Sequence, residues 1–352
     1  MQHNTLIIVG GGPRGLACAI QGLTLFNRIY IIDETPAGSW NTTSTVANFE
    51  LRSPVSFDLV TYDTSNKDYS LSDFLDLENI TFNNQKEIEE DSRRLTRLQF
   101  YNYLSHVKTK LMSNSNVSFI YNKVLSVHNN CVETTSGKIH FDHLILAQGT
   151  QEKAVPTNLL PYKKITNEDL LTKSYSSLLV VGSGQGAYDI ASYLYNKGVN
   201  VGLYITKYPK IDQYPAPSYS LWKERSALGN YCSSLVSTAS KSRYIQSVKA
   251  WGPSITPNNE YLLTTIPIYI NSNIKEVISK YNNTFISRVG VKPNNILNIK
   301  PDQITTNFKV KGTTNMFVSG PITAIYDGPR VNSIISSSST AIKIMEEIDA
   351  SI

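Results

Sequence analysis

Cysteine is scarce in this chain. There are three in 352 residues, Cys18, Cys131 and Cys232, far apart and odd in number. No disulfide framework is implied, and a reducing cytoplasm is the expected home. Long apolar runs are lacking too. Nothing approaches the roughly 18–20 residues of a membrane span, and the first apolar run, Leu6–Val9, is too short for a signal-peptide core. Charge of one sign is also lacking. Lys and Arg total 33 against 28 for Asp and Glu, a net charge of +5. That does not suggest the clustered basic face of a nucleic-acid binder and supports only weak attraction for anionic ligands. The five histidines, His3, His106, His128, His140 and His143, show no metal spacing. A soluble globular protein is expected, about two domains long, with no metal, nucleic-acid or membrane partner.

Glycine, by contrast, is placed with purpose. Leu6–Val9 reads as a buried parallel strand, and Gly10-Gly-Gly-Pro-Arg-Gly15 follows it. Leu16 to Leu25 has the content of a packed helix, and Arg28–Ile32 is the next strand, ended by Asp33. This is a βαβ unit with a G-x-G-x-x-G turn. Gly10 allows the tight turn, Gly12 lets the backbone approach a pyrophosphate, and Gly15 lets the helix pack on the strand. The helix N-terminus then faces the phosphates. Asp33 stands where a carboxylate accepts ribose hydroxyls. The candidate set here is Gly10, Gly12, Pro13, Arg14, Gly15, Asp33 and Glu34. For Arg14 the competing reading is an exposed helix-start residue.

A second copy begins at Leu178. Its strand is Leu178–Val181, its turn Gly182-Ser-Gly-Gln-Gly-Ala187, its helix Tyr188–Asn196 and its returning strand Val199–Ile205. Ala187 in the third place still permits close helix packing. The returning strand ends without a carboxylate, and Lys207 follows Thr206. A missing acid removes the acceptor for a ribose hydroxyl, and a nearby cation suits a 2′-phosphate. NADPH is therefore expected ahead of NADH, on Gly182, Ser183, Gly184, Gln185, Gly186 and Lys207.

Between the copies, Val117–Tyr121, Val124–His128, Cys131–Thr135 and Lys138–Phe141 read as short antiparallel strands, and Leu98–Met112 reads as a helix. Residues 208–260 are rich in Tyr, Ser and Pro; they could shape a substrate pocket or be a surface elaboration. Asn332–Ile348 reads as a C-terminal helix.

With both turns in hand, the chain resembles the flavoproteins that carry two dinucleotide-binding domains, among them flavin-containing and N-hydroxylating monooxygenases and thioredoxin-reductase-like enzymes. Phe141-Asp-His-Leu-Ile-Leu-Ala-Gln-Gly149 is similar to their strand ending in Ala-Thr-Gly, with Gln148 replacing threonine. Phe285–Asn294 is similar to their second interdomain segment, and Met316–Gly320 to the last strand, whose glycine approaches the flavin. Pro321 stands where the reductases often place aspartate. Gly38-Ser-Trp40 resembles a segment of the monooxygenase branch whose indole packs near the flavin, and Leu51-Arg-Ser-Pro54 another segment near the ring. The resemblance implies FAD at the first turn, with Ser39, Trp40, Arg52, Val124, Ala147, Gly149, Gly320, Pro321 and Asn332 added to its contacts. For Trp40 a plain core role competes, for Arg52 a salt bridge, and for Asn332 a plain helix start. Residues 151–177 contain no Phe, Gly or His. The Phe-x-Gly-x-x-x-His fingerprint of Baeyer–Villiger and flavin-containing monooxygenases is therefore absent.

The implied fold is α/β, with two Rossmann-like domains and the NAD(P)H domain inserted into the FAD domain. The expected boundaries are 1–175 plus 300–352 for FAD and 176–299 for NAD(P)H, with a partly helical insertion at about 208–260. FAD with NADPH implies hydride transfer from nicotinamide to flavin. No two cysteines form C-x-x-C, so direct dithiol chemistry is disfavoured. The expected activity is an NADPH-dependent FAD monooxygenase acting with O2 on a small molecule, with no catalytic side chain assigned. The alternative is a reductase passing electrons to a quinone, a small disulfide or a protein carrier.

Overall fold

The computed structural model describes residues 3–35, 40, 49–54, 58–60, 66–78, 94–128, 130–211, 235, 240–241, 254–327 and 334–351. The first unit runs β1 (His3–Val9), α1 (Pro13–Gly22), β2 (Phe26–Asp33), α2 (Arg97–Met112), β3 (Val117–Tyr121) and β4 (His143–Leu146). The chain then passes through β5 (Thr150–Glu152), β6 (Lys163–Ile165), β7 (Ser177–Val181), α3 (Gln185–Asn196), β8 (Asn200–Ile205), β9 (Ile268–Ile270), β10 (Thr284–Ser287) and β11 (Val291–Pro293). It closes with β12 (Met316–Val318) and α4 (Ile335–Asp349).

Two five-stranded parallel sheets result, ordered β12-β4-β1-β2-β3 and β6-β10-β7-β8-β9. Every strand of the second sheet lies in sequence between β4 and β12. The alternation of side chains explains why both faces of each sheet are apolar. Leu6 and Ile8 face one core with Leu16, Ile20, Leu104 and Ile344, while Ile7 and Val9 face another with Val132, Leu146 and Ile299. The second sheet repeats this, with Leu178 and Val180 on one side and Leu179 and Val181 on the other. α1 lies against β1, β2, α2 and α4, and Leu16 and Cys18 are fully buried. A cavity left by Leu16→Ala there would cost about 2–5 kcal/mol.

Several expectations change. Val117–Tyr121 pairs parallel with β2 as the edge of the first sheet; of the four, only the strands at 124–128 and 137–140 pair antiparallel, each with the strand at 131–134 between them. α1 starts at Pro13 rather than Leu16 because Pro suits the first helical position. Lys163–Ile165, assigned to the first domain, pairs with β10 in the second sheet. In sequence, β5 lies between β4 of the first sheet and β6 of the second, and β11 between β10 of the second and β12 of the first. β5 and β11 form an antiparallel ribbon, Thr150 opposite Pro293 and Glu152 opposite Val291. Among the described residues, no helix is long and apolar enough to cross a membrane.

Candidate functional site

Each glycine turn sits at the carboxyl end of its sheet, in the crevice beside the first strand. In the first, the Gly10 N–H donates to the Ile32 carbonyl at 2.8 Å, and the Ala147 N–H to the Val9 carbonyl at 2.8 Å. Gly10 has φ +112°, and a Cβ there would stand 2.3 Å from the Ala147 carbonyl oxygen. A Cβ on Gly15 would stand 1.8 Å from the Gly10 carbonyl oxygen, so helix and strand touch through bare backbone. Gly12 is different. A Cβ there would meet nothing within 4 Å. It would fill the space in front of the α1 N-terminus, where a diphosphate could approach.

α1 has no side-chain cap at Gly12. α2 shows the contrast: Thr96 and Gln99 form a full capping box. α1 therefore keeps first-turn N–H donors for a ligand. Beside the turn opens a cleft of about 380 Å³ lined by Gly10, Asp33, Glu34, Asn122, Lys123 and Val124, among others. Its size lies within the roughly 300–1,000 Å³ of ligand-holding clefts. The Asp33 carboxylate accepts from the Gly11 N–H at 2.6 Å and the Thr35 N–H at 3.0 Å, which fixes it at the mouth of this cleft.

Arg14 is buried rather than an exposed helix-start residue. Its guanidinium donates to the Ser336 and Thr340 hydroxyls of α4. Its stem lies 3.4 Å from the place a Gly320 Cβ would take, and Gly320 has φ +122°. Pro321 opens the short helix 321–323 and borders a small recess shared with Gly149. Trp40 packs edge-on against Phe100, ring centroids 4.9 Å apart, and joins the first core. Ser39, Asn332, Cys232 and the side chain of Arg52 lie outside the described residues.

The second turn repeats the geometry. The Gly182 N–H donates to the Tyr204 carbonyl at 3.0 Å, and the Arg288 N–H to the Val181 carbonyl at 2.7 Å. Gly182 has φ +147°, and a Cβ on Gly184 would meet nothing within 4 Å. α3 is also uncapped by a side chain. Strand register makes Ile205 the counterpart of Asp33, and Ile205 is fully buried. The tie that Asp33 supplies in the first turn comes here from Ser183, whose hydroxyl accepts from the Thr206 N–H at 3.1 Å. Lys207 is exposed just beyond. Gln185 is engaged within the protein: its carboxamide bonds Asp189, the Thr256 N–H and the Thr256 hydroxyl.

Gly186 borders a cleft of about 320 Å³ between the two units, lined also by Phe49, Arg97, Glu152, Asp189 and Arg288. These charged residues were not singled out in the sequence. They come from four separate stretches of chain, and no local motif joins them. Asp189 is 2% exposed. Burial pushes its carboxyl above the ordinary range, while Arg97, Asn259 and Gln185 hold it down.

The family model for pyridine nucleotide-disulphide oxidoreductases matches residues 7–250, which include both glycine turns. The chain belongs to this family. A soluble pyridine nucleotide transhydrogenase from Marinobacter nauticus is 27% identical over 209 residues, covering 57% of this chain and 43% of that protein. The chain thus spans less than half the length of that family relative. Two solved structures share the fold along nearly their whole lengths. The FAD-bound cadaverine monooxygenase of Erwinia amylovora has a TM-score of 0.74 and 17% identity, covering 98% of this chain and 94% of its own. The ornithine hydroxylase of Pseudomonas aeruginosa has a TM-score of 0.75 and 13% identity, covering 100% of both chains. Within the family, Cys18 of this chain is no candidate for thiolate chemistry: burial pushes its thiol up to about 12. Among the described residues no group of His, Cys, Asp and Glu could hold a metal.

Proposed function

We propose that this chain is an NADPH-dependent FAD monooxygenase that oxygenates a small molecule with O2 in the cytoplasm. The observation that carries the reading is the repeated cradle. Each has a glycine whose missing Cβ opens onto an uncapped helix N-terminus, and each borders a cleft of nucleotide-holding size.

In this reading Gly10, Gly12, Pro13 and Gly15 hold the FAD diphosphate, and Asp33 accepts the ribose hydroxyls of its adenosine half. Glu34 and Val124 line the adenosine cleft, Ala147 closes behind Gly10, Gly149 and Pro321 border the small recess, and Arg14 fixes α1 against α4 beside Gly320. Gly182, Ser183, Gly184, Gln185 and Gly186 form the second cradle, for NADPH, and Lys207 meets its 2′-phosphate. The expected boundary at 175 moves to the ribbon: a NAD(P)H unit over about 153–290 sits within a FAD unit made of the remainder. FAD, when bound, supplies hydride acceptance and oxygen activation. The protein's own part is to aim the two nucleotides at one cleft and to limit water there with Phe49 and Ile190.

The purified protein should be yellow, should bleach with NADPH under nitrogen, and should consume NADPH and O2 together when an amine or other soft nucleophile is supplied. The monooxygenase reading is supported over the reductase by the likeness to the cadaverine monooxygenase and the ornithine hydroxylase and by the absence of a C-x-x-C pair. Bleached protein that passes electrons to a quinone or disulfide without taking up O2 would overturn it.

A further inference from the structure

The second cradle carries a cation that lies outside its glycine motif. The Arg288 N–H bonds the Val181 carbonyl as the Ala147 N–H bonds Val9 in the first cradle. Each carbonyl closes on the first glycine of its turn: Arg288 O lies 2.2 Å from the place of a Gly182 Cβ, as Ala147 O lies 2.3 Å from that of Gly10. The two residues therefore hold equivalent positions. One cradle is closed by a methyl group and the other by a guanidinium. Register likewise pairs Arg14 of α1 with Gly186 of α3. The bare Gly186 leaves passage for the Arg288 stem, whose Cδ lies 3.9 Å from the place of a Gly186 Cβ.

The Arg288 guanidinium is held in place. It donates to Glu152 Oε1 at 2.9 Å, to the Ser287 carbonyl at 3.3 Å and to Asn167 Oδ1. Among the described residues these bonds leave guanidinium N–H donors to spare, since arginine carries five. The Arg288 side chain is 18% exposed and Glu152 is 50% exposed. The cation is thus fixed, while its carboxylate partner is half exposed and also accepts from Lys164 Nζ at 2.9 Å, a second cation that can retain it when it leaves Arg288.

We propose that Arg288 is the side-chain receptor for the diphosphate at the second cradle, with Glu152 as the counter-ion that the diphosphate replaces. This rests on the reading that the cradle holds a nicotinamide dinucleotide. The diphosphate carries two negative charges to the uncapped α3 N-terminus, and an arginine fork matches its oxygens in a way that backbone N–H groups alone do not. NAD and NADP share the diphosphate. Arg288 therefore adds affinity without choosing between them, and the choice falls to Lys207.

Titration calorimetry of the FAD-loaded protein with NADP+ and with NAD+ tests this. Arg288→Ala should weaken both by the same factor, on the order of 10- to 100-fold, as for other hydrogen bonds to charged groups. Glu152→Gln, an isosteric change at a half-exposed position, should tighten both by about 2- to 5-fold. Unchanged affinity in Arg288→Ala overturns the proposal, as does a loss confined to NADP+, which would assign Arg288 to the 2′-phosphate. If Arg288→Ala does not fold, Glu152→Gln decides alone, and unchanged or weaker binding overturns the proposal. Wild-type protein that binds neither dinucleotide overturns the proposed function itself, a result distinct from wild-type binding that Arg288→Ala leaves intact.

Discussion

Arg97 of α2 and Asp189 of α3 meet at 3.4 Å, joining the two units with an ion pair whose acid is buried and whose base is one-quarter exposed. Asp189 also accepts from Gln185 Nε2 at 2.6 Å and Asn259 Nδ2 at 2.9 Å. Arg97→Met leaves the carboxylate buried with only these neutral donors. The cost at pH 7 should be about 1–3 kcal/mol, below the roughly 3–5 of a fully buried pair because solvent already reaches Arg97. Burial raises the Asp189 pKa, so its ionisation opposes folding more as pH rises, and more still without Arg97. Denaturant unfolding should show a larger deficit at pH 7 than at pH 5. An equal deficit at both would count against the coupling.

Asp58 offers a second pH test. Its carboxylate accepts from Tyr103 Oη at 2.5 Å, from the Leu71 N–H at 2.7 Å and from the Leu59 N–H at 2.6 Å. Burial still pushes it from 3.8 up to about 6. A carboxyl that titrates higher folded than unfolded favours the fold when protonated. Its contribution is complete below about 4 and is lost as pH climbs through about 6. On the order of 2–3 kcal/mol should disappear across that window. Asp58→Asn should flatten this part of the stability curve, and identical slopes in the two proteins would refute the assignment.

The glycines of the first turn should separate folding from binding. Gly10→Ala drives a Cβ into the Ala147 carbonyl at a positive φ and should cost about 3 kcal/mol or more. A Cβ at Gly12 meets no protein atom within 4 Å, and Gly12 is the N-cap of α1, so the Gly12→Val apoprotein should lose only about 1 kcal/mol of stability and yet lose its yellow colour on purification. Retained flavin absorbance in Gly12→Val would remove the diphosphate from this cradle.

Lys207→Ala tests the choice of nicotinamide dinucleotide. Loss of one charge-assisted contact should weaken NADPH binding by about tenfold and leave NADH unchanged, measured as dissociation constants on the same preparation. Equal effects on the two would mean that Lys207 acts on the general field rather than on the 2′-phosphate.

What was legible in the sequence is what neighbouring residues decide among themselves. Gly10, Gly12 and Gly15 lie within one turn, and Gly182, Gly184 and Ala187 repeat the pattern, so the backbone they require can be read locally. Asp33 follows because a strand of fixed length carries it to the same edge. Partner choice was not legible. Val117–Tyr121 has the same short apolar pattern whether it pairs antiparallel or joins β2 in parallel, and only the assembled sheet decides. Arg14 looks exposed until α4, more than three hundred residues later, covers it. Arg97 with Asp189, and Arg288 with Glu152, are joined by tertiary approach between charged residues that any surface could display singly.

The ribbon of β5 and β11 has a consequence for how such a chain can be built and rebuilt. The Lys153 N–H donates to the Gly290 carbonyl at 3.1 Å, so the two ends of the segment that carries the second sheet lie side by side. A module with its two ends side by side can be excised, closed by a short linker or exchanged for another without stretching the scaffold around it.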